Sequence, residues 1–379
     1  MASHTSNTIK LTEGSKRYTA LWPKPPVGDV DLAATRATVE YMSRLVGGRV
    51  LPMRRVEDIP LTSLDGSSPF FVRNYFPTLL EEDKVGEQKL GVILYSHGGG
   101  GMVGSVASYD SMCRRIAATC HMAVVSVDYR LTPEHPYPAA LEDMEAAFQF
   151  VVNDLVMRQY PEVLDPGKVV LMGDSFGGHL AASLLLRLHR KEEYKQSIKP
   201  KACVLIYPSV DMKNARHPSF STHANVSHLT PEMINMFFNA YLPDKNGNGT
   251  SSSSSSSSSR SDHYSGSSSS SSSSCNGNGC SNNTEGLFQE ELRLDPDVSV
   301  LYSTHLHLFP PTLVLSAACD PLIDEGILFV KRLREEKVDV RHVIYPEIIH
   351  GFFSGYDMFP EAEMALGETA NFLKEGLRL

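Results

Sequence analysis

Short runs of β-branched and other apolar residues alternate along this 379-residue chain with stretches whose apolar residues recur at helical spacing. Five of these runs are almost continuously apolar, which is typical of strands that are covered on both faces. Strand, helix and strand in repetition predict an α/β fold, in which helices flank a mainly parallel sheet. The predicted strands are Phe70–Phe76, Leu90–Ser96, Ala123–Asp128, Val169–Gly173, Cys203–Pro208, Thr312–Ala317 and Val340–Tyr345.

Two segments, residues 1–50 and 210–311, interrupt this alternation. Each contains an amphipathic stretch that predicts a helix, at residues 31–45 and 231–242. Open α/β sheets bind ligands at the carboxyl ends of their strands, so we expect both segments to fold over that edge as two parts of a cap. The remaining residues then form the core, in two parts: 51–209 and 312–379.

Residues 245–285, inside the second cap segment, consist almost entirely of serine, asparagine and glycine. Such a stretch has too little apolar surface to offset the entropy cost of ordering it, and it is predicted to be a flexible, solvated loop. An inert spacer is the favoured interpretation. A phosphorylated or partner-binding tract is the alternative that the sequence leaves open.

The overall composition excludes several partners. The formal net charge is −9 and no cluster of Lys and Arg is present, which argues against binding to nucleic acid. No apolar run approaches the roughly 20 residues of a membrane span, so stable membrane insertion is not expected. The N-terminal stretch MASHTSNTIKLTEGSK lacks the apolar core of a secretory signal, so we expect a cytoplasmic location. Cys275 and Cys280 do not have the spacing of a zinc ligand set.

The stretch VVLMGDSFGGHL, residues 169–180, places Ser175 in a G-x-S-x-G pattern between a predicted strand and a predicted helix. In that position the pattern predicts a nucleophile elbow, a tight and strained turn that lifts a serine out of the sheet. Side chains at Gly173 or Gly177 would collide with the neighbouring strand and helix. The alternative is that Ser175 is a turn residue without a chemical role. This interpretation becomes less favoured with each candidate catalytic partner found elsewhere in the chain.

A serine hydroxyl is a weak nucleophile at neutral pH and needs an oriented base. In folds with this elbow the partners follow in the order Asp or Glu and then His. After Ser175, Asp320 lies at the carboxyl end of one predicted strand, with Asp324 four residues further on, and His350 follows the next strand. Any one of the 14 histidines is by itself more often structural, and it is the position in the strand order that selects His350.

Consecutive glycines follow another predicted strand in HGGGG, residues 97–101. Glycines there allow backbone amides to approach a substrate oxygen that any Cβ would hinder. Two such amides, together with the N–H of Phe176, would stabilise the oxyanion of a tetrahedral intermediate. Phosphate binding is only weakly supported, because no G-K-[ST] follows and the spacing is not G-x-G-x-x-G.

Five motifs follow one another along the chain: HGGGGMVGS, VDYRLTPEHPYPAALED, GDSFGG, CDPLIDEG and HGFF. In this order and spacing they resemble the motifs of the hormone-sensitive-lipase-like branch of the α/β-hydrolase carboxylesterases. This branch includes arylacetamide deacetylases, bacterial esterases and plant carboxylesterases. The resemblance runs from about residue 56 to the end of the chain, excluding the serine-rich tract. It implies an α/β-hydrolase fold with a mostly parallel eight-stranded sheet, a helical cap from the N-terminus and an insertion after the sixth strand.

The same resemblance implies a serine hydrolase that cleaves carboxylic esters of short to medium acyl chains through an acyl-enzyme. It implies Ser175 as nucleophile, Asp320 and His350 as its triad partners, a small-molecule ester as the substrate, and no metal or organic cofactor. Two alternatives remain open. Plant gibberellin receptors keep this fold as hormone-binding proteins, but they lack the catalytic histidine that this chain has. Amide hydrolysis and lipolysis use the same triad.

The resemblance further implies the amides of Gly99, Gly100 and Phe176 as the oxyanion hole, with Gly98 allowing the turn. Most members of the branch carry alanine where this chain has Phe176. Its ring is expected to narrow one side of the pocket and to favour a small acyl group. Three further residues are implied to support the glycine loop without proton chemistry: His97, Asp128 and Arg130.

Overall fold

The computed structural model describes residues 9–22, 31–78, 89–213, 217–242 and 290–377. Its centre is one sheet of eight strands in the order β1-β2-β4-β3-β5-β6-β7-β8. The pairs β1–β2 and β2–β4 are antiparallel and all the others are parallel. The α/β class and the mostly parallel eight-stranded sheet are therefore confirmed. The strands are β1 Arg55–Thr62, β2 Pro69–Phe76, β3 Leu90–Ser96, β4 Ala123–Asp128, β5 Leu164–Asp174, β6 Ala202–Ile206, β7 Thr312–Ala317 and β8 Val340–Tyr345.

The first strand, β1, is absent from the strands that apolar runs predict. It lies at the edge of the sheet, where it pairs with β2 alone, and its side chains are exposed or half-buried. Charged residues and Pro60 are tolerated there because an edge strand leaves one row of backbone groups facing solvent. Such a strand has no continuous apolar run for the sequence to reveal.

Helices cover both faces of the sheet. One face carries α4, α5 and α8, and the other carries α3 and α9. A π-helical segment, Phe150–Gln159, continues α4. Among the described helices, none combines the length and the apolar character that crossing a bilayer requires. The helices are α1 Glu13–Leu21, α2 Leu32–Val46, α3 Asp110–Cys120, α4 Ala139–Gln149, α5 Phe176–Arg190, α6 Pro218–Thr222, α7 Pro231–Tyr241, α8 Ile323–Glu335 and α9 Pro360–Leu377.

Alternate residues of the central strands enter different cores, because successive side chains of a strand point to opposite faces. In β3, Val92 and Leu94 pack in the core beneath α4, α5 and α8, whereas Ile93 and Tyr95 pack in the core beneath α3 and α9. All four are fully buried. Coverage on both faces explains why the central strands are continuously apolar in sequence.

Buried ion pairs link the segment before β7, through Asp297, to helices α4 and α5 of the core. Arg187 of α5 pairs with Glu145 of α4 at 3.2 Å and with Asp297 at 3.1 Å, and all three side chains are at most 10% exposed. Glu145 also pairs with Lys191 at 2.5 Å, and Asp297 pairs with Arg190. The serine-rich tract predicted at residues 245–285 lies outside the described residues.

We predict that Arg187→Met lowers the free energy of unfolding by about 3 kcal/mol, because it leaves two buried carboxylates with one cationic partner fewer. Urea unfolding followed by circular dichroism measures the change. The control is Arg158→Met, which breaks the solvent-exposed pair of Arg158 with Asp154 and should cost less than about 1 kcal/mol. Equal costs for the two variants would contradict a stabilising role of the buried network.

Candidate active site

Ser175 stands in a tight turn between β5, which ends at Asp174, and α5, which begins at Phe176. Its φ of 55° and ψ of −120° are rare for a residue with a side chain and mark local backbone strain. A Cβ at Gly173 would lie 2.3 Å from the carbonyl oxygen of Gly177, and one at Gly177 would lie 2.0 Å from that of Ser96. Both glycines are therefore required by close backbone approach, as the sequence predicts for a nucleophile elbow.

The structure brings together the three residues that the sequence selects. The Oγ of Ser175 lies 2.9 Å from the Nε2 of His350, and the Nδ1 of His350 lies 2.6 Å from the Oδ2 of Asp320. The Oδ1 of Asp320 accepts the N–H of Leu322 at 2.9 Å. The other candidate carboxylate, Asp324, accepts a backbone N–H at the start of α6 instead, at 2.8 Å.

These distances assign the proton positions of the imidazole. The carboxylate of Asp320 is only 1% exposed and can only accept when it is ionised, so the Nδ1 of His350 carries the hydrogen. The Nε2 lone pair then faces the hydroxyl of Ser175. This is the arrangement that removes a proton from a serine nucleophile.

The glycine loop after β3 has a backbone that favours glycine, with φ values of 111° at Gly99, 64° at Gly100 and 73° at Gly101. The carbonyl oxygen of Gly99 accepts the N–H groups of Met102 and Val103, both at 3.0 Å, which closes the turn. In the described part of the chain, no acceptor bonds the N–H groups of Gly99, Gly100 or Phe176. These amides are free to donate to the oxygen of a bound ligand. The N–H of Phe176 also lies at the positive end of the α5 dipole.

The residues implied as supports of the glycine loop are structural in this arrangement. The His97 ring stacks on Tyr129, with centroids 4.4 Å apart, and its Nδ1 lies 2.8 Å from the next carbonyl oxygen. Burial lowers the pKa of His97, so this ring is neutral at physiological pH. Asp128 accepts a backbone N–H of the loop at 3.0 Å, and Arg130 pairs with Asp143 at 2.9 Å.

Asp174, the residue before Ser175, is a buried carboxylate of this site that the sequence analysis did not select. Its Oδ1 accepts the N–H of Gly98 at 2.9 Å and the hydroxyl of Tyr95, and its Oδ2 accepts the hydroxyl of Tyr109 at 3.2 Å. Burial raises the pKa of Asp174 to about 6, while the hydrogen bond from Tyr95 acts in the opposite direction. The signal available in the sequence was an acidic residue at the end of a buried strand, where a carboxylate needs hydrogen-bond partners.

A cavity of about 620 Å³ lies above Ser175 and includes His350 and the glycine loop in its lining. Residues of α1, α2 and α7 form its other walls, so both segments expected to form a cap contribute to it. A second cleft, of about 680 Å³, lies between α2 and β2 and contains none of the three predicted catalytic residues. Eight apolar side chains line the first cavity: Leu32, Val39, Met102, Val103, Leu229, Met233, Met236 and Phe237.

The prediction that the Phe176 ring narrows this pocket is wrong. The ring is 3% exposed and packs edge-to-face on Tyr241 of α7, with centroids 4.9 Å apart. A Cβ at Gly101 would lie 2.8 Å from the ring, which therefore fills the space behind the glycine loop. Phe176 is not one of the described residues that line the cavity. The ring supports the loop rather than limiting the substrate.

Comparison with known proteins agrees with this geometry. A family model for the alpha/beta hydrolase fold matches residues 93–265 and 258–354. The ethyl acetate hydrolase of Pseudomonas putida is 26% identical over 352 residues, which are 93% of this chain and 92% of that relative. The arylacetamide deacetylase of Oryctolagus cuniculus is 31% identical over 298 residues, covering 75% and 74%. A hyperthermophilic esterase from the archaeon Pyrobaculum calidifontis has a TM-score of 0.70 at 29% identity, covering 92% and 94% of the two chains.

We predict that the stability difference between the wild type and Asp174→Asn depends on pH. The pKa of Asp174 is raised from 3.8 to about 6 by burial, so the folded state binds this proton more tightly than the unfolded state. The resulting stability is complete below about pH 4 and is lost as the pH rises through about 6. The free energy of unfolding of the wild type minus that of the variant should thus fall by about 2 kcal/mol between pH 4 and pH 7. Urea titrations at each pH measure it, and a difference that stays constant or grows with pH would contradict the assignment.

Proposed function

The chain belongs to the α/β-hydrolase fold family, in its hormone-sensitive-lipase-like carboxylesterase branch, and on that premise we propose that it is a carboxylic ester hydrolase that uses Ser175 as nucleophile. The observation that carries this proposal is the hydrogen-bonded series from Ser175 through His350 to Asp320, which opens onto an apolar cavity. The relatives named as an ethyl acetate hydrolase and as carboxylesterases support ester hydrolysis.

Acylation of the enzyme follows from the positions of three side chains. His350 Nε2 takes the hydroxyl proton of Ser175 while the Oγ attacks the carbonyl carbon of the ester. Asp320 holds the imidazole in the correct tautomer and stabilises the imidazolium that forms. When the tetrahedral intermediate collapses, the imidazolium protonates the departing alcohol oxygen, and the acyl group stays on Ser175.

Deacylation repeats these steps with water. His350 removes a proton from a water molecule, whose oxygen attacks the acyl carbon, and the new tetrahedral intermediate then releases the carboxylic acid. The proton on His350 returns to the Oγ of Ser175, which restores the free enzyme. Both halves of the reaction place negative charge on the same carbonyl oxygen, so one set of amide donors serves both.

The oxyanion donors that we propose are the N–H groups of Gly99, Gly100 and Phe176. Their geometry is preorganised, because the loop is held by the turn at Gly99 and by the carboxylate of Asp174 on Gly98. Donors fixed in advance stabilise developing charge without reorganising during the reaction, and one such donor contributes about 10²–10³ in rate.

The cap and the chain length of the substrate are parts of the same proposal. We propose that residues 1–50 and 210–311, in the parts that the structure describes, are the two parts of a cap, with residues 51–209 and 312–379 as the core. A cavity of about 620 Å³ with mostly apolar walls suits uncharged esters of short to medium acyl chain.

A cytoplasmic location is supported by the four buried cysteines of the described residues, all of which are free thiols.

A hormone-binding protein without catalysis is the less favoured alternative. His350 is present and lies within hydrogen-bond distance of Ser175, as a base requires. Amide hydrolysis is a second candidate activity, because the same triad serves it and one relative is an arylacetamide deacetylase.

We predict that Ser175→Ala lowers kcat/KM for p-nitrophenyl acetate by at least about 10⁴-fold, because it removes the nucleophile. Release of p-nitrophenol, followed by absorbance, measures the change. The matched control is Ser221→Ala, at an exposed serine of α6, which should retain wild-type activity. Activity that persists in the Ser175 variant would defeat the assignment of the nucleophile.

We predict that the enzyme prefers dissolved short-chain esters to emulsified long-chain fat, since residues of α1, α2 and α7 wall a cavity of about 620 Å³ above Ser175. Titration of released acid, with dissolved triacetin and emulsified triolein compared at equal ester concentration, measures the preference. The rate on triacetin should exceed that on triolein by at least tenfold. A higher rate on the long-chain emulsion would identify a lipase instead.

A further inference from the structure

One wall of the cavity is aromatic and is formed by Tyr18, Trp22 and His228, which we call the aromatic wall. The rings of Trp22 and His228 are stacked, with centroids 5.1 Å apart and planes at 19°. Tyr18 meets the edge of His228 at a centroid distance of 5.3 Å. Tyr18 and Trp22 come from the N-terminal segment and His228 from the chain before α7, so the two parts of the proposed cap meet here.

The aromatic wall stands beside the catalytic base. A Cβ on Gly351, the residue after His350, would lie 3.4 Å both from the Cε1 of His228 and from the hydroxyl oxygen of Tyr18. The electrostatic effect of His350 on His228 also indicates that the two imidazoles are close. A substrate held against this wall therefore lies next to the reacting serine.

The imidazole of His228 is a hydrogen-bonding group without a protein partner. Burial lowers its pKa to about 3, so it is neutral and offers one donor and one acceptor. Neither nitrogen has a hydrogen-bond partner among the described residues. The Nδ1 is covered, whereas the Nε2 is not among the buried unpaired atoms and thus remains accessible from the cavity. Buried polar groups in proteins nearly always have a partner, so this one is suited to a bound ligand or to water.

The charged residues of the cavity lining indicate which ligands it excludes. Among the described residues that line it, none is Lys or Arg, and the carboxylates of Asp31 and Glu232 stand exposed at its rim. A carboxylate on the substrate would find no cationic partner and would be repelled. Uncharged ligands with a ring for the aromatic wall and a polar substituent for His228 fit the lining.

We propose that the aromatic wall makes this enzyme select uncharged esters that carry a phenolic ring, with the ring packed on Trp22 and its hydroxyl group hydrogen-bonded to the Nε2 of His228. The inference rests on the proposed esterase function, since the same cavity and the same serine act on the substrate. His228 is a specificity-determining residue in this scheme and takes no part in bond cleavage. A phenol both donates and accepts, so it matches either tautomer of the imidazole.

The first experiment measures binding without catalysis. Trp22 is the only tryptophan of the chain, so its fluorescence reports directly on the aromatic wall. In the Ser175→Ala variant, ethyl 4-hydroxyphenylacetate should change this fluorescence saturably, with a Kd roughly threefold to tenfold lower than that of ethyl phenylacetate, as expected for one added hydrogen bond. Ethyl cyclohexylacetate should bind more weakly than both. Equal Kd values for the three esters, or no change in fluorescence, would overturn the proposal.

The second experiment uses His228→Phe, which keeps a ring for the stack but removes the hydrogen-bonding nitrogens. The ratio of kcat/KM for the hydroxylated ester to that for the unhydroxylated ester should fall from roughly threefold to tenfold to about 1. The matched control is His307→Phe, at an exposed position outside the cavity, which should keep the wild-type ratio. A wild-type ratio in His228→Phe would overturn the inference. Absence of wild-type turnover on every ester would overturn the proposed function instead, and the binding experiment would still decide the role of the wall.

Discussion

The close approach of two loops is the constraint on which the rest of the site depends. The carbonyl oxygens of Ser96 and His97 lie so near Gly177 that a Cβ there would be 2.0 Å from one and 2.5 Å from the other. The Oγ of Ser96 donates to the carbonyl oxygen of Gly177 at 2.7 Å, and Asp174 accepts the N–H of Gly98. These contacts join the elbow that carries Ser175, the proposed nucleophile, to the loop that carries the proposed amide donors, so the two are held in one fixed geometry.

The positions of Ser175, Asp320 and His350 were predictable, because apolar runs in the sequence reveal the parallel strands and therefore the residues that follow them. The carboxyl ends of β5, β7 and β8 meet at one edge of the sheet, so residues placed just after them converge, and that placement selects Ser175, Asp320 and His350. The edge strand β1 was not predictable from apolar runs, since its position leaves its side chains exposed or half-buried.

Side-chain direction and long-range partners were the parts that the sequence could not supply. The Phe176 ring turns away from the cavity because Tyr241, on a helix 65 residues later, offers it an edge-to-face contact. Asp174 becomes a positioning group only because Tyr95 and Tyr109, from two other parts of the chain, meet its carboxylate. The role proposed for His228 likewise depends on Tyr18 and Trp22 of the N-terminal segment, which pack against its ring. Local sequence patterns do not encode contacts between residues that lie far apart in the chain.

We propose that His350 activates Ser175 beside backbone amides that are positioned to stabilise an oxyanion. A p-nitrophenyl phosphonate tests this proposal most directly, because a serine oxygen that attacks its phosphorus atom displaces p-nitrophenolate and leaves a stable tetrahedral adduct that stands in for the transition state. Mass spectrometry should locate one label per chain, on Ser175, and labelling should become at least a hundredfold slower in His350→Ala. A label on another residue, or an unchanged rate without the imidazole, would contradict the account.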